Sequence, residues 1–281
     1  MARLPYAYAL RPDETVKSGF IRVLGRIAIR ARRLAGRSRG DMTRSIHEVR
    51  ILIKRLRALL WFARPALTSS GFSHAKASLR RTTRLLAASR DLAATRLTLK
   101  KLTQMTVDPR DRKVLAEVSR AVEKSALDGR ESGKSLRPLL RRVVALLLDC
   151  SDEIGRSAAA SHAWPAPSDR VARAFRSSRK AEKKARREKK AVDFHEWRKK
   201  VKRLLYQLEL TCAKPDRPTA RTIRRVDRLQ ARLGDYHDCV VARERLGRKL
   251  LARPAAHRIS ALLKKRGKRM RKKARKIARS I

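Results

Sequence analysis

One ten-residue pattern occurs twice in this chain of 281 residues. Residues 47–56 read HEVRILIKRL, and residues 195–204, about half a chain later, read HEWRKKVKRL. A second pair of segments keeps nearly the same offset, since residues 86–91 read LAASRD and residues 233–238 read LGDYHD. Because self-similarity at a fixed offset indicates a repeated structural unit, the sequence predicts two copies of one arrangement.

The boundary between the two copies is predicted within residues 161–168. Pro165 and Pro167 lie in this segment and interrupt helical propensity on both sides. We therefore predict a first repeat over residues 1–163 and a second repeat over residues 164–281.

Composition predicts an all-α fold. Ala, Leu, Arg and Lys dominate and favour helices, whereas only 11 Gly and 10 Pro are present. The apolar content of 42% is enough to form ordinary helical cores. Amphipathic patterns between the breaks predict helices over residues 13–37, 42–64, 71–104, 110–128, 136–160, 168–190, 192–212, 217–251 and 255–279. Long amphipathic helices with short connections indicate bundle packing.

The charge balance is strongly basic, with 75 Lys and Arg against 25 Asp and Glu, for a net charge of +50. A compact body with this charge repels itself, so we expect a polyanionic partner. The charge is also unevenly distributed, since no acidic residue lies between Glu48 and Asp91 or after Glu244. This distribution favours one cationic cavity or face over a uniformly charged surface.

The repeated segments predict helices with one basic and one apolar side, because successive residues turn by about 100°. The basic row of the first copy is His47, Arg50, Lys54 and Arg57, and that of the second copy is His195, Arg198 and Lys202. Further basic rows are Arg22, Arg26 and Arg30, and Arg173, Arg176 and Lys180. Ordinary solvated faces mix charges of both signs, so these rows indicate binding of a polyanion.

Both histidines follow a capping residue in the sequence. Residues 45–48 (SIHE) have the form of a capping box, and residues 193–196 (DFHE) are its Asp-capped relative. Both histidines would then lie in a first helical turn, where free N–H groups attract anions and the dipole disfavours the imidazolium. We expect each histidine either to contact a bound anion or to bond a carbonyl or carboxylate at a helix junction.

Asp91 and Asp238 occupy equivalent positions within basic helices. We predict that each orients an Arg or Lys of the repeated segment through a salt bridge. Catalysis would need a partner acid or a set of metal ligands, and the sequence offers no convincing set. We therefore expect no enzymatic activity, no metal site and no cofactor. Cys150, Cys212 and Cys239 also lack metal-ligand spacing and are expected to serve packing.

The sequence gives no sign of a membrane association. Its first residues, MARLP, lack the apolar core of a signal peptide, and the longest apolar run, residues 143–148, is too short to span a bilayer. We expect a soluble cytoplasmic protein.

The two HExRxxxKRL segments, each followed about forty residues later by an LxxxRD or LxxxHD element, resemble the CHAD family, the conserved histidine α-helical domain. The resemblance covers nearly the whole chain. It implies two pseudo-symmetric helical bundles around a basic central cavity, binding of inorganic polyphosphate and recruitment to polyphosphate granules. It also implies that the basic residues of both repeated segments face the ligand, supported by the basic rows of each first helix.

Polyphosphate suits these residues because it is a chain of closely spaced anions without bases. Binders of single-stranded nucleic acid interleave aromatic rings with their basic groups, whereas the aromatic content here is only 4%. We therefore expect a non-enzymatic polyphosphate-binding protein. An architectural DNA- or RNA-binding protein is the first alternative, because net charge alone supports it equally. A metal-dependent polyphosphatase is the second alternative.

Overall fold

The computed structural model describes residues 8–36, 42–131, 136–250 and 254–281. Ten α-helices account for nearly all of these residues and no β-strand occurs among them, which confirms the predicted all-α fold. The helices are α1 (Val16–Ala35), α2 (Met42–Phe62), α3 (Ser69–Leu85), α4 (Ala87–Thr103), α5 (Pro109–Glu131), α6 (Leu136–Ala159), α7 (Pro167–Glu188), α8 (Ala191–Thr211), α9 (Arg217–Leu250) and α10 (Pro254–Ala278). A 3₁₀ turn, Arg64–Ala66, follows α2.

The predicted helix over residues 71–104 is wrong, because the structure divides it into α3 and α4 at Leu86. The Leu86 N–H donates to the Thr83 carbonyl at 3.3 Å, which tightens the end of α3 into a 3₁₀-like turn. Neither Gly nor Pro marks this position in the sequence. The remaining predicted helices agree with the structure to within a few residues.

The described residues form two compact units. Unit 1 comprises those within residues 1–86, 135–180 and 200–223, and unit 2 those within residues 87–134, 181–199 and 224–281. Each unit takes segments from both predicted repeats, and α7, α8 and α9 each contribute residues to both units. The duplication and its pseudo-symmetry stay predictions from the sequence.

Unit 1 has a helical bundle formed by α1, α2, α3 and α6. α1 buries Phe20, Ile27 and Leu34 at the spacing of one helix face. Full burial of each such side chain contributes about 1.5–3 kcal/mol. The Leu10 N–H also donates to the Leu210 carbonyl at 2.7 Å, which joins the segment before α1 to the end of α8.

In unit 2, apolar side chains of α4, α5, α9 and α10 form one core. Leu99, Leu115, Ala242 and Ile259 supply one buried side chain from each of these helices. α10 is strongly amphipathic, so its basic residues lie on a helix that is packed against the unit along its length.

The predicted capping boxes are wrong, because both helices begin before the residues proposed as their caps. α2 begins at Met42, so Ser45 is already helical and His47 lies beyond the first turn. α8 begins at Ala191, and Asp193 pairs with Lys184 at 3.3 Å from within the first turn. The histidines therefore do not face the free N–H groups of a helix end.

The segment between α6 and α7 is non-helical, as predicted. Its Trp164 packs on Phe20 with the two ring centroids 5.0 Å apart, so this connection is part of unit 1. Pro167 begins α7, where its missing N–H breaks no helical hydrogen bond.

Two of the cysteines are buried. Burial raises the pKa of the Cys150 thiol to about 12 and that of Cys239 to about 11. Both thiols are therefore protonated near neutral pH, which agrees with a packing role.

Lys189, which follows α7, offers a test of the turn that leads into α8. Its φ of 56° lies in the left-handed region, which glycine adopts without a steric penalty. We expect Lys189→Gly to raise the free energy of unfolding in urea by about 0.5–1 kcal/mol. Lys190→Gly, an adjacent exposed control, should give no such gain, and equal effects of the two changes would contradict this explanation.

Candidate functional site

Unit 1 contains a cavity of about 690 Å³ with a strongly cationic lining. The end of α2 with its 3₁₀ turn, the first part of α7 and the second part of α8 line it. The lining residues are Trp61, Arg64, Pro65, Arg170, Arg173, Ala174, Arg176, Ser177, Lys180, Lys200, Arg203 and Gln207. Seven of these residues are cationic, and this described lining includes no acid.

Helical spacing explains how so many cations meet on one wall. On α8, Lys200, Arg203 and Gln207 follow one another by three and then four residues, so they share one face of the helix. On α7, Arg173 and Lys180 are seven residues apart and also lie on one face.

Arg170 is the most enclosed cation of the cavity, with 6% of its surface exposed. Its Nη2 donates to the Trp61 carbonyl, and no carboxylate of the described residues pairs with it. Burial lowers the pKa of Arg170, and the neighbouring Arg173 and Arg64 lower it further. A buried charge without a counter-ion destabilises a protein, and an anion entering the cavity would offset that cost.

Arg203 lies over the ring of Trp61, with its guanidinium carbon 3.7 Å from the ring centroid. Arg64 approaches the same ring at 5.8 Å and the ring of Phe72 at 5.0 Å. These cation–π contacts hold planar guanidinium groups at the cavity wall and cover a face of the indole.

The rim of the cavity is open to solvent, because Arg64, Arg173, Arg176 and Lys180 are exposed. Its inner side is not, since only 1% of Gln207 is exposed. The cavity therefore combines fixed inner groups with long side chains that can follow a bound anion.

Three predicted site residues line this cavity, namely Arg173, Arg176 and Lys180. Sequence reasoning missed four of its cations, namely Arg64, Arg170, Lys200 and Arg203. Arg170 extends the predicted row on α7 by three residues, and Arg203 belongs to the KRL end of the repeated segment, so both carried a usable signal. The predicted Lys202 is adjacent to Arg203 in the sequence but is not part of the lining.

The basic row of α2 lies outside the cavity lining. His47 is exposed, and its pKa is lowered chiefly by desolvation and then by Lys54 and Arg50, while Glu48 raises it. Arg57 has a structural contact, since its Nη2 donates to the Leu79 carbonyl at 3.2 Å and to Thr83 Oγ1 at 2.9 Å. That contact joins α2 to α3.

Two of the three arginines in the predicted row on α1 form ion pairs. Arg22 Nε donates to Glu14 Oε2 at 2.8 Å, and its Nη2 donates to the Ala9 carbonyl at 2.7 Å. Arg30 pairs with Glu48 of α2. Arg26 is half-buried between them in the same row.

In unit 2, the second repeated segment meets the LGDYHD element. His195 Nδ1 lies 3.3 Å from His237 Nδ1, with the two ring centroids 4.5 Å apart. The Arg198 guanidinium lies near Gly234, where a β-carbon would be 3.7 Å from Nε. Two motifs that are distant in sequence thus come together in unit 2.

The salt bridges predicted for Asp91 and Asp238 stay predictions. The side chain of Asp91 lies outside the described residues, and Asp238 follows the paired His237 in α9. A different acid of the same element, Asp235, pairs with Lys101 and Arg232, each at 3.1 Å.

The described residues contain no group of three or more His, Cys, Asp or Glu that could hold a metal ion. None of their helices is both long and apolar enough to cross a membrane.

Comparison with known proteins identifies the family. The fold is similar to the crystal structure of the CHAD domain from the plant Ricinus communis, with a TM-score of 0.68, 20% sequence identity and coverage of 92% of this chain and 88% of that chain. Comparison with curated proteins gave no match. The family model of the CHAD domain matches residues 27–247, so this chain belongs to the CHAD family.

Proposed function

We propose that this chain binds inorganic polyphosphate in the cavity of unit 1 and does not hydrolyse it. The observation that carries the proposal is the described lining, which has seven cations and no acid and in which the buried Arg170 donates to a carbonyl rather than to a carboxylate. A linear polyanion would supply negative charge to Arg170 and to the exposed cations of the rim. A protein of this kind would collect on polyphosphate granules in the cytoplasm.

The chemistry of the lining suits phosphate oxygens. Arginine donates two parallel hydrogen bonds to one phosphate, whereas lysine acts as a mobile point charge. Five of the seven cations are arginines, and Arg203 is held against the Trp61 ring. The wall can therefore orient successive phosphates, and the rim lysines can follow a flexible chain.

Nucleic acid fits this cavity less well. The cavity has a volume of about 690 Å³, within the range of about 300–1,000 Å³ that is typical of small-molecule sites. A cavity of this size leaves no room for a duplex. The aromatic ring at the wall, Trp61, has Arg203 against one face at 3.7 Å, so that face is not available to stack a base.

Removing two cavity arginines should weaken polyphosphate binding selectively. We expect Arg173→Ala/Arg176→Ala to raise the Kd for long-chain polyphosphate at least about tenfold, equivalent to about 1.4 kcal/mol. The slope of log Kd against log salt should also decrease, because fewer counterions are released. The matched control is Arg141→Ala/Arg142→Ala, which removes two exposed arginines of α6 in the same unit.

Equal losses in the two double variants would show that bulk charge alone binds the ligand. Duplex DNA or RNA that displaced polyphosphate at equal phosphate concentration would favour the nucleic-acid alternative. Release of orthophosphate from polyphosphate with Mg²⁺ or Mn²⁺ would overturn the proposal that binding occurs without hydrolysis.

Arg170→Met should separate stability from binding. Methionine fills a similar volume without a charge. The free energy of unfolding of the variant should therefore equal that of the native chain or exceed it by up to about 2 kcal/mol. Its affinity for polyphosphate should fall, since the innermost cation is lost. Urea unfolding and a fluorescence titration would measure both, and a destabilised variant with unchanged affinity would contradict this role.

Binding should also depend on pH if His47 contacts the chain. Desolvation and then the neighbouring Lys54 and Arg50 lower the pKa of His47, and a bound anion would raise that pKa. Affinity for long-chain polyphosphate should then rise from pH 8 to pH 6 and should rise less in His47→Gln. Internal phosphates are fully ionised over this range, so a flat profile in the native chain would mean that His47 stays away from the ligand.

A further inference from the structure

Unit 2 has an arginine cluster of its own, the α10 arginine cluster, formed by Arg186 of α7, by Arg271 and Arg275 of α10, and by Arg279 in the turn that follows α10. The last three follow one another at four-residue spacing, and the Arg279 N–H donates to the Arg275 carbonyl at 3.4 Å, so they form one row about 12 Å long. None of these four arginines lines the cavity of unit 1, although Arg186 follows the lining residue Lys180 on α7.

Two members of the cluster lie over one buried aromatic ring. The guanidinium carbons of Arg271 and Arg275 are 5.4 Å and 6.0 Å from the ring centroid of Phe194, which is only 1% exposed. These cation–π contacts fix two guanidinium groups side by side at the surface of unit 2. They also occupy the ring, so Phe194 offers no platform for a nucleic-acid base.

The cluster has far more positive than negative charge. The acid that influences Arg275 is Glu182, which is buried and also pairs with Arg186 at 3.9 Å. Nε of Arg275 is buried and has no hydrogen-bond partner in the described part of the chain. Burial and then the repulsion by Arg271, Arg186 and Arg279 lower the pKa of Arg275. An unbonded buried donor among like charges favours the entry of an anion.

We infer that the α10 arginine cluster is a second binding site for condensed phosphate, formed by residues other than those that line the cavity of unit 1. The ligand class is taken from the proposed function, whereas the site is a different one. Several forked guanidinium groups along about 12 Å can bind successive phosphates of one short chain, and the occupied ring of Phe194 disfavours a base.

The stoichiometry of tripolyphosphate binding to the full chain, measured by titration calorimetry, tests this inference. We expect two sites in the native chain and one site in Arg271→Ala/Arg275→Ala. Lys272→Ala/Lys273→Ala removes the same charge from exposed positions of the same helix and should keep two sites. Arg271→Lys/Arg275→Lys keeps the charge without the forked guanidinium geometry. This variant should keep two sites, and the α10 site should bind tripolyphosphate about tenfold more weakly than in the native chain.

The outcomes separate the two sites. If Arg173→Ala/Arg176→Ala reduces the number of sites but Arg271→Ala/Arg275→Ala does not, the second site is refuted and the proposed function stands. If only the α10 change reduces it, the second site stands and the cavity is refuted. If the α10 change removes binding of duplex RNA but not of tripolyphosphate, the inferred ligand is wrong. Unfolding curves identify alanine variants that misfold. In that case the affinity of Arg271→Lys/Arg275→Lys decides whether the α10 site exists.

Discussion

An arginine that leaves water needs an anion or a backbone oxygen against it, and this chain has only 25 acids for 75 bases. Several of its carboxylates already pair with arginines within the units. Glu14 pairs with Arg22 in unit 1, and Asp108 pairs with Arg258 in unit 2. Arg170 is left with a carbonyl, and Nε of Arg275 is left without a hydrogen bond. The two sites that we propose for anions therefore lie at arginines for which a carboxylate is in short supply.

The repeated segment shows how one residue can serve structure in one copy and a cavity in the other. Arg55 and Arg203 occupy the same position of the two KRL ends, and both lie over aromatic rings. Arg55 stacks on Tyr8 at 4.3 Å and has Glu209 at 3.8 Å, so its charge is matched inside unit 1. Arg203 stacks on Trp61 and lines the cavity. The surroundings, rather than the arginine itself, distinguish the two positions.

The sequence predicted what depends on local pattern. Periodicity predicted the helices, and the row on α7 that includes Arg173 lines the cavity, because both follow from the residues per turn of one helix. The break at Leu86 depends on a backbone hydrogen bond at the end of α3, and neither Gly nor Pro marks it in the sequence. The pairing of Arg30 with Glu48 depends on the packing of α1 against α2, and a helical row alone cannot show which of its cations have partners.

The hydrogen bond from Leu10 to the carbonyl of Leu210 has a consequence for how the protein is made. Leu10 and Leu210 both belong to unit 1 but are far apart in the sequence. The N-terminal helices of unit 1 therefore leave the ribosome well before α8 is synthesised. Because synthesis proceeds at about 5–20 residues per second, α1, α2 and α3 are complete several seconds before α8. During that time Arg55 of α2 has not yet met Glu209 of α8, so its charge is open to any anion nearby until the last helix of unit 1 arrives.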